Sequence, residues 1–97
     1  MSDAELVLHF KKRLPDGSIV EMILWRLSRP IAGSAHRFKY RLYFGKGGMR
    51  IVGYDNERGK GDHRHRRGVE RPYRFSTPEQ LIEDFLADVR REGGTDE

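Results

Sequence analysis

Arg37-Phe38-Lys39-Tyr40-Arg41-Leu42-Tyr43-Phe44 is the stretch on which the fold turns. Phe38, Tyr40, Leu42 and Phe44 alternate with Arg37, Lys39, Arg41 and Tyr43, the period of two that lets a strand keep one face dry and the other wet. Downstream, Gly45-Lys46-Gly47-Gly48 turns the chain into another strand at Met49 to Tyr54. Upstream, Leu6, Leu8 and Phe10 alternate with Val7, His9 and Lys11. Pro15-Asp16-Gly17 then combines a fixed negative φ, a turn-forming side chain and a residue that tolerates positive φ, which folds Ile19 to Leu27 back as a hairpin partner. That second strand is apolar on both faces, through Val20, Met22 and Leu24 and through Ile19, Ile23 and Trp25, and belongs inside the sheet. Pro72 confines a short fifth strand at Arg71 to Phe75 to an edge.

One helix closes the pattern. Thr77 is its cap, Pro78 fits the first turn, and Gln80 stands three residues after Thr77 as in a capping box. Leu81, Ile82, Phe85, Leu86 and Val89 form a stripe at helical spacing, with Glu83, Asp84 and Asp88 read as lying off it. Arg90 and Arg91 suit the negative end, Gly93 and Gly94 stop the helix, and residues 92–97 are expected to fray. The prediction is an α+β fold, a mostly antiparallel meander of four to five strands with one C-terminal helix packed on one face, in a single domain over residues 1–97. If the stripe packs on Leu6, Leu8, Phe10, Phe38, Tyr40, Leu42 and Phe44, then Lys11, Arg13, Arg37, Lys39, Arg41 and Arg50 occupy the other face. Tyr43, and at the limit Tyr54, would stand among those cations. Trp25 and the doubly apolar second strand leave room for a homodimer.

A chain of 97 residues has space for one modest core, and without cysteine it must be held by packing alone. The acidic start and the short apolar runs imply no export and no membrane span, so a cytoplasmic location is expected. The net charge of +4 matters less than its placement. Twelve Arg and Lys residues between His36 and Phe75 face four carboxylates, a field suited to a polyanion. A cationic sheet face with interleaved aromatics suits single-stranded nucleic acid.

Function is expected in Tyr54-Asp55-Asn56-Glu57-Arg58-Gly59-Lys60-Gly61-Asp62-His63-Arg64-His65-Arg66-Arg67, read as a loop. Imidazoles titrate near neutral pH, so His63 and His65 can serve as the base and acid of RNA transesterification by a 2′-hydroxyl. Lys60, Arg64, Arg66 and Arg67 would bind phosphate, with Arg37, Lys39, Arg41 and Arg50 on the sheet, and Asp55 or Asp62 would fix a histidine tautomer. If residues 63 to 65 are extended, both rings face one side and the arginines the other. A metal held by His63, His65 and Asp62 or Asp55 competes with this reading, but no third histidine completes the set and the surrounding cations oppose it. No metal or cofactor is therefore expected. His9 and His36 read as structural, and no phosphate-cradling glycine motif, serine elbow or dinucleotide fingerprint is present.

Gly53-Tyr54-Asp55-Asn56-Glu57, Gly59-Lys60-Gly61-Asp62-His63-Arg64-His65, Pro72-Tyr73-Arg74-Phe75 and the helix bearing Leu81, Asp84-Phe85 and Asp88 together resemble the TumE family of toxins from prokaryotic type II toxin-antitoxin systems. The resemblance implies a growth-inhibiting toxin and a cognate antitoxin with a helix-turn-helix DNA-binding domain. The residues themselves favour a metal-independent endoribonuclease in which His63 and His65 are catalytic with Asp55 and Tyr54 beside them. The alternatives are a nonenzymatic RNA- or ribosome-binding inhibitor and a nucleotide-dependent modifying toxin.

Overall fold

The computed structural model describes residues 4–93. Six strands form one antiparallel sheet in the order of the chain: β1 (Ala4–Arg13), β2 (Ile19–Leu27), β3 (Phe38–Lys46), β4 (Met49–Glu57), β5 (Gly61–Arg66) and β6 (Val69–Pro72), followed by the helix α1 (Pro78–Arg91). The meander and its helical cover are as the alternation predicts, but there are six strands rather than four or five. The charged stretch accounts for the difference. It is a hairpin, not a loop: β4 runs on to Glu57, a turn at residues 58–60 reverses the chain, and β5 pairs Asp55 with His63 and Gly53 with His65. The edge strand expected at Arg71 to Phe75 is instead Val69–Pro72.

The core lies between α1 and one face of the sheet, where Val20, Met22, Leu24, Tyr40, Leu42, Phe44, Val52 and Tyr54 meet Leu81, Phe85 and Val89. Removing a side chain such as Phe85 from water contributes about 1.5–3 kcal/mol. The helix covers β3 and β4 and does not reach β1, so two residues expected beneath it are elsewhere. A β-bulge between Leu6 and Leu8 turns Leu6 to the opposite face beside Trp25, because one extra residue inverts every side chain beyond it. Leu6 and Phe10 are both exposed, and Leu8 alone of the three packs against the core.

Local chemistry sets the corners. Asp16 Oδ1 accepts from the Ser18 amide (2.9 Å) and hydroxyl (2.6 Å) in the first turn. Thr77 Oγ1 accepts from the Gln80 amide at 3.1 Å, but the Gln80 side chain donates to Asp84 (2.8 Å) rather than back to the cap. Of the segment expected to fray, Glu92 caps the helix and holds Arg66 at 3.1 Å and Arg67 at 2.5 Å. Residues 94–97 lie outside the described residues. Asp88, read as off the apolar stripe, is on it and completely buried; its spacing of three from Phe85 and seven from Leu81 is that of the buried face.

Candidate functional site

The pleat sorts the reactive side chains. In β3 to β5 the even-numbered residues Tyr40, Leu42, Tyr54 and Arg64 face the helix, and register aligns the odd-numbered ones on the open face. One row runs across the sheet from Ile23 through Arg41, Asp55 and His63 to Pro72, and the next from Glu21 through Tyr43, Gly53 and His65 to Glu70.

Asp55, His63 and His65 meet in the middle of this open face. The His63 ring is 5 % exposed and Asp55 19 %. Nδ1 of His63 lies 3.1 Å from the Gly61 carbonyl, to which it donates, and this turns Nε2 to within 2.6 Å of Asp55 Oδ1. The approach is close but lacks hydrogen-bond angles, so both atoms are buried without a hydrogen-bond partner. The two imidazoles meet edge to face with centroids 5.4 Å apart. His65 Nε2 is 3.6 Å from Glu70 Oε1. Burial first, and then the Arg50 guanidinium, push the His65 pKa below the usual imidazole range, which keeps the ring neutral and able to accept a proton.

Arg50 reaches His65 because position 53 is glycine. A Cβ there would lie 2.7 Å from Arg50 Cδ, so the arginine stem occupies the space a side chain would fill. Lys39 and Arg41 flank the cluster from β3, and Arg41 stacks over the Tyr43 ring at 5.8 Å.

The other candidate residues are distributed differently. Arg37 precedes β3, and Lys60 stands in the β4–β5 turn 3.7 Å from Glu70. Arg64 and Arg66 project from the helix face of β5, opposite the histidines, and with Arg67, Arg71, Val69 and Glu92 line a shallow pocket of about 250 Å³. Tyr54 stands on the helix side, fully buried. Its hydroxyl donates to Asp88 Oδ2 at 2.5 Å and accepts from Arg64 Nη1 at 3.3 Å. Burial and then that carboxylate push its pKa far above the ordinary phenol value. Asp62 orients a histidine, but it is His36: with Nδ1 accepting from the Phe38 amide, the His36 Nε2–H donates to Asp62 at 2.8 Å, and Tyr40 donates to the same oxygen at 2.6 Å. His36 also stacks on Phe75 at 3.9 Å, so the chain before β3 is fastened both to the start of β5 and to the segment between β6 and α1.

Sequence reasoning missed Glu70, Asp88 and the clearance at Gly53. Asp88 was visible in the helical spacing, and a glycine inside a strand is itself a signal of close approach. Glu70 becomes a neighbour of His65 only through the β5–β6 register.

A meander sheet closed on one side by a helix, with imidazoles, a carboxylate and cations on the uncovered side, defines a small α+β protein that presents its reactive groups on an open sheet face. No helix among the described residues is long and apolar enough to cross a membrane. The family model described as Toxin TumE matches residues 2–92, and the chain belongs to that family. It is a toxin component, and membership implies an antitoxin partner. No curated protein and no solved structure matches the chain.

Proposed function

We propose that this toxin cleaves RNA on the open face of its sheet without a metal ion, at the cluster of Asp55, His63 and His65. The observation that carries the reading is His65 beside a close His63–Asp55 contact, on a sheet face that also bears Lys39, Arg41 and Arg50. His65 takes the proton of a ribose 2′-hydroxyl. The freed oxygen attacks the adjacent phosphorus, and the 5′ oxygen leaves with a proton delivered from Nε2 of His63, giving a 2′,3′-cyclic phosphate. Arg41 and Arg50 stabilise the charge that accumulates on the phosphoryl oxygens. Tyr43 is an exposed-face aromatic on which a base can stack. The toxin acts in the cytoplasm in a type II system, held inactive by a protein antitoxin with a helix-turn-helix domain.

The test is incubation with RNA in the presence of a chelator. Products ending in cyclic phosphate, lost in a folded His65→Gln variant, are expected; undiminished cleavage by that variant would remove the mechanism. The burial of His63 favours one other reading, an RNA-binding inhibitor that cuts nothing. It predicts salt-dependent RNA binding that tolerates His65→Gln and fails on charge reversal at Lys39 and Arg41.

A further inference from the structure

The geometry points to a binding site for a single divalent transition-metal ion of the zinc class, made by Asp55, His63 and His65, with the metal-bound protein as the silent form of the toxin. The second half of this proposal rests on the ribonuclease reading; the first does not.

One ligand atom from each of the three residues lies within 4.8 Å of the other two. Two imidazole nitrogens and a carboxylate oxygen are the donor set that zinc and its neighbours accept, and three protein ligands leave a position for water. Proximity alone would carry little, but the state of the donors adds to it. His63 is 4 % exposed, and its Nε2 is buried without a hydrogen-bond partner, as is the Asp55 Oδ1 it faces. Buried polar atoms are nearly always partnered, and these two, 2.6 Å apart, meet without hydrogen-bond geometry, a contact that an ion coordinated by both would satisfy. The other ring nitrogen of His63 donates to the Gly61 carbonyl at 3.1 Å, the arrangement by which a metal-ligating histidine is fixed in tautomer and direction.

The fit needs only side-chain adjustment. Two ligands bonded at about 2.0–2.1 Å with a tetrahedral angle stand about 3.4 Å apart, so the 2.6 Å contact between Asp55 and His63 must open slightly. Glu70, 3.6 Å from His65 Nε2, adds negative charge at the rim. Arg50 opposes a cation, so the expected affinity is below that of a structural zinc site. Occupancy removes the His65 lone pair from use, so an ion and a 2′-hydroxyl proton compete for the same nitrogen.

Chelator-treated protein titrated with Co²⁺ should develop the visible ligand-field absorption of nitrogen and oxygen coordination, saturating at one ion per chain and displaced by Zn²⁺. His65→Gln and Asp55→Asn should each weaken binding at least tenfold while His9→Gln, on the far strand, leaves it unchanged. Both informative variants alter partly exposed side chains, and circular dichroism verifies that they fold; His63→Gln, in a buried position, is not relied on. No absorption, or absorption indifferent to His65→Gln and Asp55→Asn, overturns the site. Zn²⁺ at saturating occupancy should abolish RNA cleavage, and stimulation would overturn the silent form. Intact Co²⁺ binding with no cleavage in chelator would overturn the ribonuclease reading and leave the site standing.

Discussion

Replacing Tyr54 by Phe removes one oxygen atom and tests whether that hydroxyl braces the fold or takes part in chemistry. The ring is fully buried between Tyr73 and Phe85, at 5.0 and 5.8 Å, and the substitution preserves its volume and apolar surface. What is lost is the 2.5 Å donation to Asp88, a carboxylate with no solvent access, and the oxygen that accepts from Arg64 at 3.3 Å. Arg91 still donates to Asp88 at 2.6 Å and Arg64 stands 3.5 Å away, so the charge is not orphaned. A hydrogen bond to a charged group contributes about 1.5–3 kcal/mol. With the remaining partners in place we expect a loss of about 2 kcal/mol, from a total that for such a chain is on the order of 5–15 kcal/mol. The Tm should fall by about 8–16 °C. Urea denaturation followed by far-ultraviolet circular dichroism measures the change, with an unaltered slope showing that the denatured state is unaffected. RNA cleavage, assayed well below the new midpoint, should persist because the hydroxyl lies on the opposite side of the sheet from Asp55. A folded variant of wild-type stability that no longer cleaves or poisons cells would refute this reasoning and put the phenol into the reaction.

The acid limb of the rate profile should lie below pH 6.5, since burial and Arg50 lower the His65 pKa. Arg50→Met removes one of the lowering influences and should move that limb toward higher pH, with the same displacement in an NMR titration of the ring; a fixed limb would dissociate His65 from the base. Gly45→Ala places a Cβ 2.5 Å from the Met49 carbonyl oxygen and against the Tyr43 ring, so overpacking of about 1–3 kcal/mol is expected in thermal melts. Glu92 has a lowered pKa, first through Arg66 and then Arg67. Its contribution is present above the unfolded value of about 4.5 and lost as pH falls through the lower folded value; Glu92→Gln should flatten the acid side of the stability profile, and an unchanged profile would show those pairs to be idle.

The sequence disclosed most of this fold where hydrophobic contrast was strong. The alternation in β3 and the stripe of α1 each have dry and wet faces, and burial depends on that contrast. β5 escaped because it has no dry face. Its alternation is of imidazole against guanidinium, and the period of two is present but written in polar side chains. The bulge at Leu6 and Leu8 was hidden for another reason: Leu6, Leu8 and Phe10 keep a plausible alternation, and only pairing with β2 reveals the extra residue. The candidate site was legible as a set of residue types and not as a constellation. Nothing local to His65 specifies Glu70 or Arg50 as its neighbours. The backbone register supplies the first, and an absent Cβ at Gly53 makes room for the second.

The sorting of side chains by β3 and β4 makes residue number itself an indicator of fate. From Tyr40 to Phe44 and Val52 to Asn56, even positions carry the load between helix and sheet, while odd positions lie on the open face. Selection can therefore act on the two parities almost independently. A lineage can exchange Arg41 or Tyr43 to follow a changing target or antitoxin while Tyr40, Leu42 and Tyr54 hold the frame. Saturation mutagenesis across these strands should give a sawtooth, with loss of abundance on one parity and loss of toxicity at full abundance on the other. Insertion of a single residue in β4 would exchange the two parities and forfeit both properties at once.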